Sequence, residues 1–399
     1  VDADRLVLMR RFTEATKQKA GRQKFVSNLE SVELEIRKQI IQHKMFAASV
    51  ALEKGYRDSE SRIHYSGVDG AQELLAQALA GGGVDFGSRF KSGNVLKEKS
   101  QVLEEYNNAK TGKTQSGIKT YYNSIDNEVL GFNYGELIMI GAFTGEGKSM
   151  MTANLAYNMA TIGGNNVVVV TAETLREQYR RRIIGRHSCN PKFKLPDGLP
   201  TLDIKAGRLP DDMELKLVEI VDDLDSNPNY GYLNIMQVTR GATIGEIRRE
   251  LEAVNVEVPI DVVFIDYLSL LTATRRRSKI QEEISEIIKE AKELAITFDS
   301  GRGIVVVSAH QMSSKARENV EPISGKFYTV RDFADTSEAG KSADVAIALL
   351  RTDDLKAKKR VMAGFLKTRD ADTGGLFELM EKFSVSYLGD TVSIGDTVI

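Results

Sequence analysis

The chain has 399 residues, enough for two or three domains, and its 42% hydrophobic content can fill at least one sizeable core. Lys and Arg (54) nearly balance Asp and Glu (56), so bulk charge favours no partner and any nucleic-acid surface has to be local. The single cysteine, Cys189, excludes an internal disulfide framework and a multi-cysteine zinc site, and it fits a reducing cytosol.

The chain opens at Val1 rather than Met, as a trimmed product with a missing upstream segment would, and no charged-then-apolar leader suggests secretion. Phe25, Leu29, Val32, Ile36 and Ile40 recur at helical spacing within 25–54. "AQELLAQALA" is a second helical stretch, closed by Gly81, Gly82 and Gly83, which read as a hinge. These features give a helical N-terminal domain over 1–82. A linker follows over 83–112, in which "NVLKEKSQVLEEYNNAK" predicts an amphipathic helix with Leu96, Leu103 and Tyr106 towards one side. The third region, 113–399, changes texture from about 131. Its apolar runs predict strands at 136–142, 166–172, 232–238, 261–267, 303–309, 344–350 and 361–367. Helix-length segments separate most of the early ones, so a largely parallel α/β sheet with covered faces is expected, ending antiparallel after 360. The longest apolar runs, "VVVVTA" and "IVVVSA", are strand-length and too short to span a bilayer.

The chemistry begins at "AFTGEGKS". A buried strand precedes it, a helix follows, and the Gly-Lys-Ser ending is that of a phosphate-binding loop, except that Ala142 stands where glycine is usual. Backbone N–H groups from Ala142, Thr144, Gly145, Glu146, Gly147 and Met150 suit phosphate oxygens, with Lys148 on the β/γ-phosphates and Ser149 on Mg²⁺. Asp266, at the end of "DVVFID", is placed to hold the same Mg²⁺ through water. The cofactors expected are therefore ATP and Mg²⁺. Glu173, after "VVVVTA", suits either a base for the attacking water or a charge complementing a helix N-terminus, and the residues alone favour neither. Gln311 closes "VVVSAHQ" and reads equally as a phosphate sensor or a polar strand end. Lys367 and Arg369 in "FLKTRD" are a basic pair on an alternating strand, which solvent alone could explain.

In this order the phosphate loop, "TAETLREQYRRR", "VVFIDYLSLL", "VVVSAHQ" and "FLKTRD" resemble the RecA-like motor of DnaB-type replicative helicases, bacterial and phage, over roughly 113–390. "SGIKTYYNSIDNEVLGFNYGELIMIGA" is similar to the family's entry segment, and "SKIQEEISEIIKEAKELA" to one of its helices. The resemblance implies that Glu173 is the catalytic base, with Gln178 and Arg182 following in the family's pattern. It implies that Gln311 is a γ-phosphate sensor and that Lys367 and Arg369 reach into the neighbouring subunit's ATP site. A hexamer moving 5′→3′ on single-stranded DNA at the replication fork is implied as well. So are primase and loader as partners, a collar formed by 1–82, and a linker helix that packs on the adjacent motor.

For DNA, the basic loop "TATRRRSKI" offers Arg275, Arg276, Arg277 and Lys279 to phosphates, although a solvated charge run would look the same. Arg180, Arg181 and Arg182 form a second run, read instead as serving packing or subunit contact. "FADTSEAGKSADVAIAL" aligns with a DNA-gripping family segment, but Ala334 and Gly340 stand at the family's Arg and Glu, leaving Lys341 as the available cation. His43, His64, His187 and His310 form no metal spacing. Two other readings fit the phosphate loop: a RecA-type recombinase, and a regulatory ATP-binding ring without unwinding activity.

Overall fold

The computed structural model describes residues 99–111, 117–274, 277, 279–320, 326–369 and 375–390. The helices expected before residue 82, the glycine hinge and Leu96 lie outside them. The linker helix is α1 (Lys99–Lys110), and its Val102, Leu103 and Tyr106 are 54%, 49% and 62% exposed, so its apolar stripe has no cover among the described residues.

Helix α2 (Asn123–Val129) leads to β1 (Leu137–Ala142), and α3 (Lys148–Thr161) to β2 (Val167–Thr171). An excursion through α4 (Arg176–Ser188), α5 (Thr201–Ala206) and α6 (Asp211–Ser226) precedes β3 (Leu233–Gln237). Helix α7 (Ile244–Glu257) connects to β4 (Val262–Asp266), and α8 (Ile280–Gly301) to β5 (Val305–Gln311). After α9 (Ser314–Asn319) and α10 (Glu338–Ser342) comes β6 (Val345–Leu350). The described chain closes with α11 (Asp353–Ala357), β7 (Arg360–Lys367), β8 (Leu376–Lys382) and β9 (Tyr387–Asp390).

All seven expected strands form, each within two residues of the expected ends. Among the described residues they make one nine-stranded sheet with β8 and β9, in the order β3-β2-β4-β5-β1-β6-β7-β8-β9. Pairing is parallel from β3 to β6 and antiparallel from β6 onward, as the loss of intervening helices suggested. Both faces of the parallel part are covered, which is why β2 reads Val-Val-Val-Val-Thr and is buried at every position. One face packs on α8, whose Ile284, Ile287, Ile288, Ala291, Leu294, Ala295 and Phe298 form a stripe at helical spacing. The other face packs on α3, buried at every residue from Met150 to Ala160. Helix α7 starts with a capping box between Thr243 and Glu246. Beyond β1 the chain crosses over β5 and β4 to reach β2, whereas β6 lies on the other side of β1. In open parallel sheets such a switch point, at the carboxyl ends of the strands, is where ligands bind.

Candidate nucleotide and nucleic-acid site

The registers bring four strand ends together as two level pairs, about two residues apart along the sheet. Ala142 at the end of β1 pairs with Gln311 of β5, and Thr171 at the end of β2 pairs with Asp266 of β4. The loop after Ala142 turns through Gly145 (φ 80°) and Gly147 (φ 99°), conformations that side chains other than glycine's resist. A Cβ at Gly145 would meet nothing within 4 Å, so this bend borders open space of the kind a phosphate requires. Helix α3 begins at Lys148 and directs its unpaired N–H groups into the same concavity. Lys148 Nζ donates to the carbonyls of Ala142 (2.8 Å) and Phe143 (3.2 Å), curled over the loop. Burial pulls its ammonium below the usual range, against the attraction of Asp266, Glu146 and Glu173.

Asp266 is 1% exposed, and its Oδ2 has no hydrogen-bond partner among the described residues. Burial pushes its carboxyl up, opposed first by the Ser149 hydroxyl and then by Arg182. A buried, half-satisfied carboxylate beside a hydroxyl is a hard-oxygen donor set that fits Mg²⁺ and its waters. The sequence suggests packing or subunit contact for Arg182; the fold turns it towards Asp266, and its Nη1 is buried without a partner among the described residues. Glu173 is exposed, on a turn pinned by Thr171 Oγ1, which accepts from the Thr174 N–H at 3.0 Å and donates to the Thr174 carbonyl at 3.1 Å. The turn carries Glu173 past the strand end, where it acts electrostatically on both Lys148 and Asp266. Gln311 Nε2 donates to Thr144 Oγ1 at 3.0 Å, a direct bond between β5 and the phosphate loop.

The model of the DnaB-like helicase C terminal domain family matches residues 117–380. The chain belongs to that family. It is 26% identical over 329 residues to the replicative DNA helicase DnaB of Helicobacter pylori, covering 82% of this chain and 62% of that protein. It is 25% identical over 261 residues to the replicative DNA helicase DnaC of Bacillus subtilis, covering 65% of this chain and 52% of that protein. The chain thus spans between half and two thirds of the length of these relatives. Among solved structures, an ATPase domain superposes with a TM-score of 0.63 at 20% identity, covering 75% of this chain and 99% of that one. A DnaB-like replicative helicase, solved in a study of its interactions with primase, gives 0.61 at 17% identity, covering 93% and 80%. The fold is therefore the RecA-like one of DnaB-like ATPase domains.

In this member of the family the remaining expected residues lie elsewhere. Lys367 is level with Ala346 on β6, which is level with Met139 on β1. Its Nζ donates to the carbonyls of Gly340 (2.9 Å) and Lys341 (3.0 Å). Arg369 Nε pairs with Asp344 Oδ1 at 2.8 Å, and Asp344 Oδ2 accepts from the Leu137 N–H at 2.7 Å. Arg369 thus sits at the start of β1, roughly 16 Å along the strand from its end. Lys367 is level with the third residue of β1, roughly 10 Å from that end, with its ammonium turned to the carbonyls of α10. They are not brought together with the nucleotide residues of their own chain.

Arg275 and Arg276 lie outside the described residues. Arg277 pairs with Glu286 (3.1 Å) and Lys279 with Glu282 (3.3 Å). A cavity of about 640 Å³ gathers Arg277, Lys289 and Lys341, together with Glu282, Glu286, Asp335 and Glu338. The segment that carries Lys341 is laced to β5: Ala334 N–H donates to the Gln311 carbonyl (2.8 Å), and Ser313 N–H to that of Asp332 (2.9 Å). His310 adds a side-chain bond between its Nε2 and the Ala334 carbonyl at 2.9 Å. Among the described residues no three metal-ligating side chains cluster, and no helix is long and apolar enough to cross a membrane.

Proposed function

We propose that this protein is an ATP-dependent replicative DNA helicase, a ring-forming motor that moves along single-stranded DNA and displaces the complementary strand. The observation that carries this reading is the separation of two charge sets on one sheet. Lys148, Ser149, Glu173, Asp266 and Gln311 gather at the carboxyl ends of the parallel strands, while Lys367 and Arg369 occupy the opposite end. A chain so built holds ATP·Mg²⁺ at one end of its strands and offers cations to a neighbour's ATP from the other. Hydrolysis then requires assembly, as in a ring. Lys148 neutralises the β/γ-phosphates, Ser149 and Asp266 hold Mg²⁺, and Glu173 polarises the attacking water. Gln311 reports the γ-phosphate to the segment ending in Lys341, through its own backbone bond to Ala334. Lys341, with Arg275, Arg276, Arg277 and Lys279, tracks DNA phosphates without reading sequence.

The resemblance of the sequence carries with it a hexamer travelling 5′→3′ at the fork, in the cytoplasm of a bacterial or phage-infected cell, with primase and a loader as partners; the primase named with one similar solved structure fits that reading. The deciding experiment is ATP-dependent separation of a forked DNA with a free 5′ tail. Separation that needs that tail supports the helicase reading and its polarity. Hydrolysis without DNA stimulation or strand separation would favour a regulatory ring, and concentration-dependent filaments that pair strands would favour a recombinase.

A further inference from the structure

Glu146 lies inside the phosphate loop, between the two glycines that shape it, and is 4% exposed. A buried carboxylate is unexpected there, because the loop exists to receive phosphates and a second negative charge opposes them. Its surroundings supply an answer. Glu146 Oε1 accepts from Arg317 Nε in an ion pair whose carboxylate is 5% exposed and whose guanidinium is 26% exposed. Arg317 stands on α9, which Ser313 caps by accepting the Ala316 N–H. The Tyr328 hydroxyl faces the same carboxylate from the chain beyond α9. The segment 311–317 therefore holds the phosphate loop at two points, Gln311 on Thr144 and Arg317 on Glu146.

We propose that Glu146 and Arg317 are a positioning pair for nucleotide binding, in which Arg317 neutralises the carboxylate buried in the phosphate loop and ties α9 to that loop. The inference rests on the phosphate-loop part of the reading above. Without Arg317, Glu146 is an unpaired charge next to the bound phosphates, and breaking one partner of a buried pair costs far more than removing both. Nucleotide affinity then depends on the two side chains jointly, so the effect of either substitution changes with the other in place.

The test is a double-substitution cycle read by the affinity of a fluorescent ADP with Mg²⁺, alongside KM and kcat for ATP. R317M is expected to weaken nucleotide affinity and raise KM on the order of tenfold, with kcat at saturation changed by less than about threefold. R317K, which keeps a cation, should retain affinity within about threefold. E146Q/R317M should recover most of the loss, because the charge that Arg317 answers has gone. A purely structural pair gives the opposite pattern: lower thermal stability in R317M and no recovery of affinity in the double variant. Unchanged affinity in R317M, or a double variant as weak as R317M with a wild-type circular dichroism spectrum, overturns the proposal. K148A is the control. If K148A binds nucleotide normally, the phosphate-loop reading itself falls; if only K148A loses binding, that reading stands and the Glu146–Arg317 proposal alone is rejected.

Discussion

Arg369 and Asp344 close a 2.8 Å ion pair at the start of β1, the strand whose far end leads into the phosphate loop. Asp344 is a hub there, since its Oδ2 also accepts from the Leu137 N–H and the Lys292 ammonium, each at 2.7 Å. Arg369 cannot serve the ATP of its own chain from that position, so its substitution separates binding from turnover. In R369A, nucleotide affinity should stay within about threefold of wild type while hydrolysis falls on the order of 10³. Mixing R369A with E173Q chains should restore part of the activity, because some interfaces then pair an intact base with an intact cation. Mixed rings of verified composition that show no recovery would rule out a shared site.

The Gln311–Thr144 bond predicts a different defect. Gln311 touches the phosphate loop with its side chain and the Lys341-bearing segment with its backbone. Q311A removes the first contact and leaves the second. Stimulation of hydrolysis by single-stranded DNA should drop at least about tenfold, with fluorescent-ADP affinity little changed. If Q311A is stimulated like wild type, the route between the two sites does not pass through this side chain.

Asp266 links catalysis to acidity. Burial raises its pKa, so in the folded protein it holds a proton to higher pH than a free aspartate does. Mg²⁺ has to displace that proton, and metal affinity therefore falls as pH falls. The half-saturating Mg²⁺ for hydrolysis should rise as pH is lowered, by at most about tenfold per unit. Chelation of Mg²⁺ should abolish turnover. A Mg²⁺ requirement that does not change with pH would show that no proton at Asp266 competes with the metal.

Much of this architecture was legible because the parallel strands are buried on both faces and read as unbroken β-branched runs, "VVVV" in β2 and "VVV" in β5. Strand β8, "LFELMEK", is broken by Glu378 and Glu381 and is only partly buried, so only its antiparallel setting was foreseeable. The residues proposed for the nucleotide stand out for a related reason: the phosphate-loop pattern is local, and Asp266, Glu173 and Gln311 fall at or just past ends of strands. What stayed hidden depends on distance along the chain. Arg317 meets Glu146 across 171 positions, and nothing near either residue announces the other. Arg182 lies in a run of three arginines, and only the rotation of α4 against the sheet selects it to face Asp266. The basic loop was legible as charge but not as pairing: Arg277 and Lys279 turn back onto glutamates of their own chain.

The last prediction concerns His187, away from the nucleotide. It is fully buried, with Nδ1 2.7 Å from the Tyr157 hydroxyl and Nε2 2.8 Å from Asp223 Oδ2. Burial lowers its pKa from 6.5 to about 4, outweighing Asp223, which favours the charged form. The sign follows from the two states. Between 6.5 and about 4 the unfolded chain takes up a proton at this residue and the folded one does not, so stability is lost as pH falls through that window. The loss levels off below the folded value and amounts to roughly 3 kcal/mol in all. Asp223, lowered to about 2, adds a further loss below 3.8 as its own proton returns. Thermal melting followed by circular dichroism should therefore show a midpoint that declines from pH 6.5 to 4. H187Q keeps a polar side chain but cannot titrate, so it should start less stable at pH 7 and decline less over the same range. An equal decline in both proteins would assign the acid sensitivity to other groups.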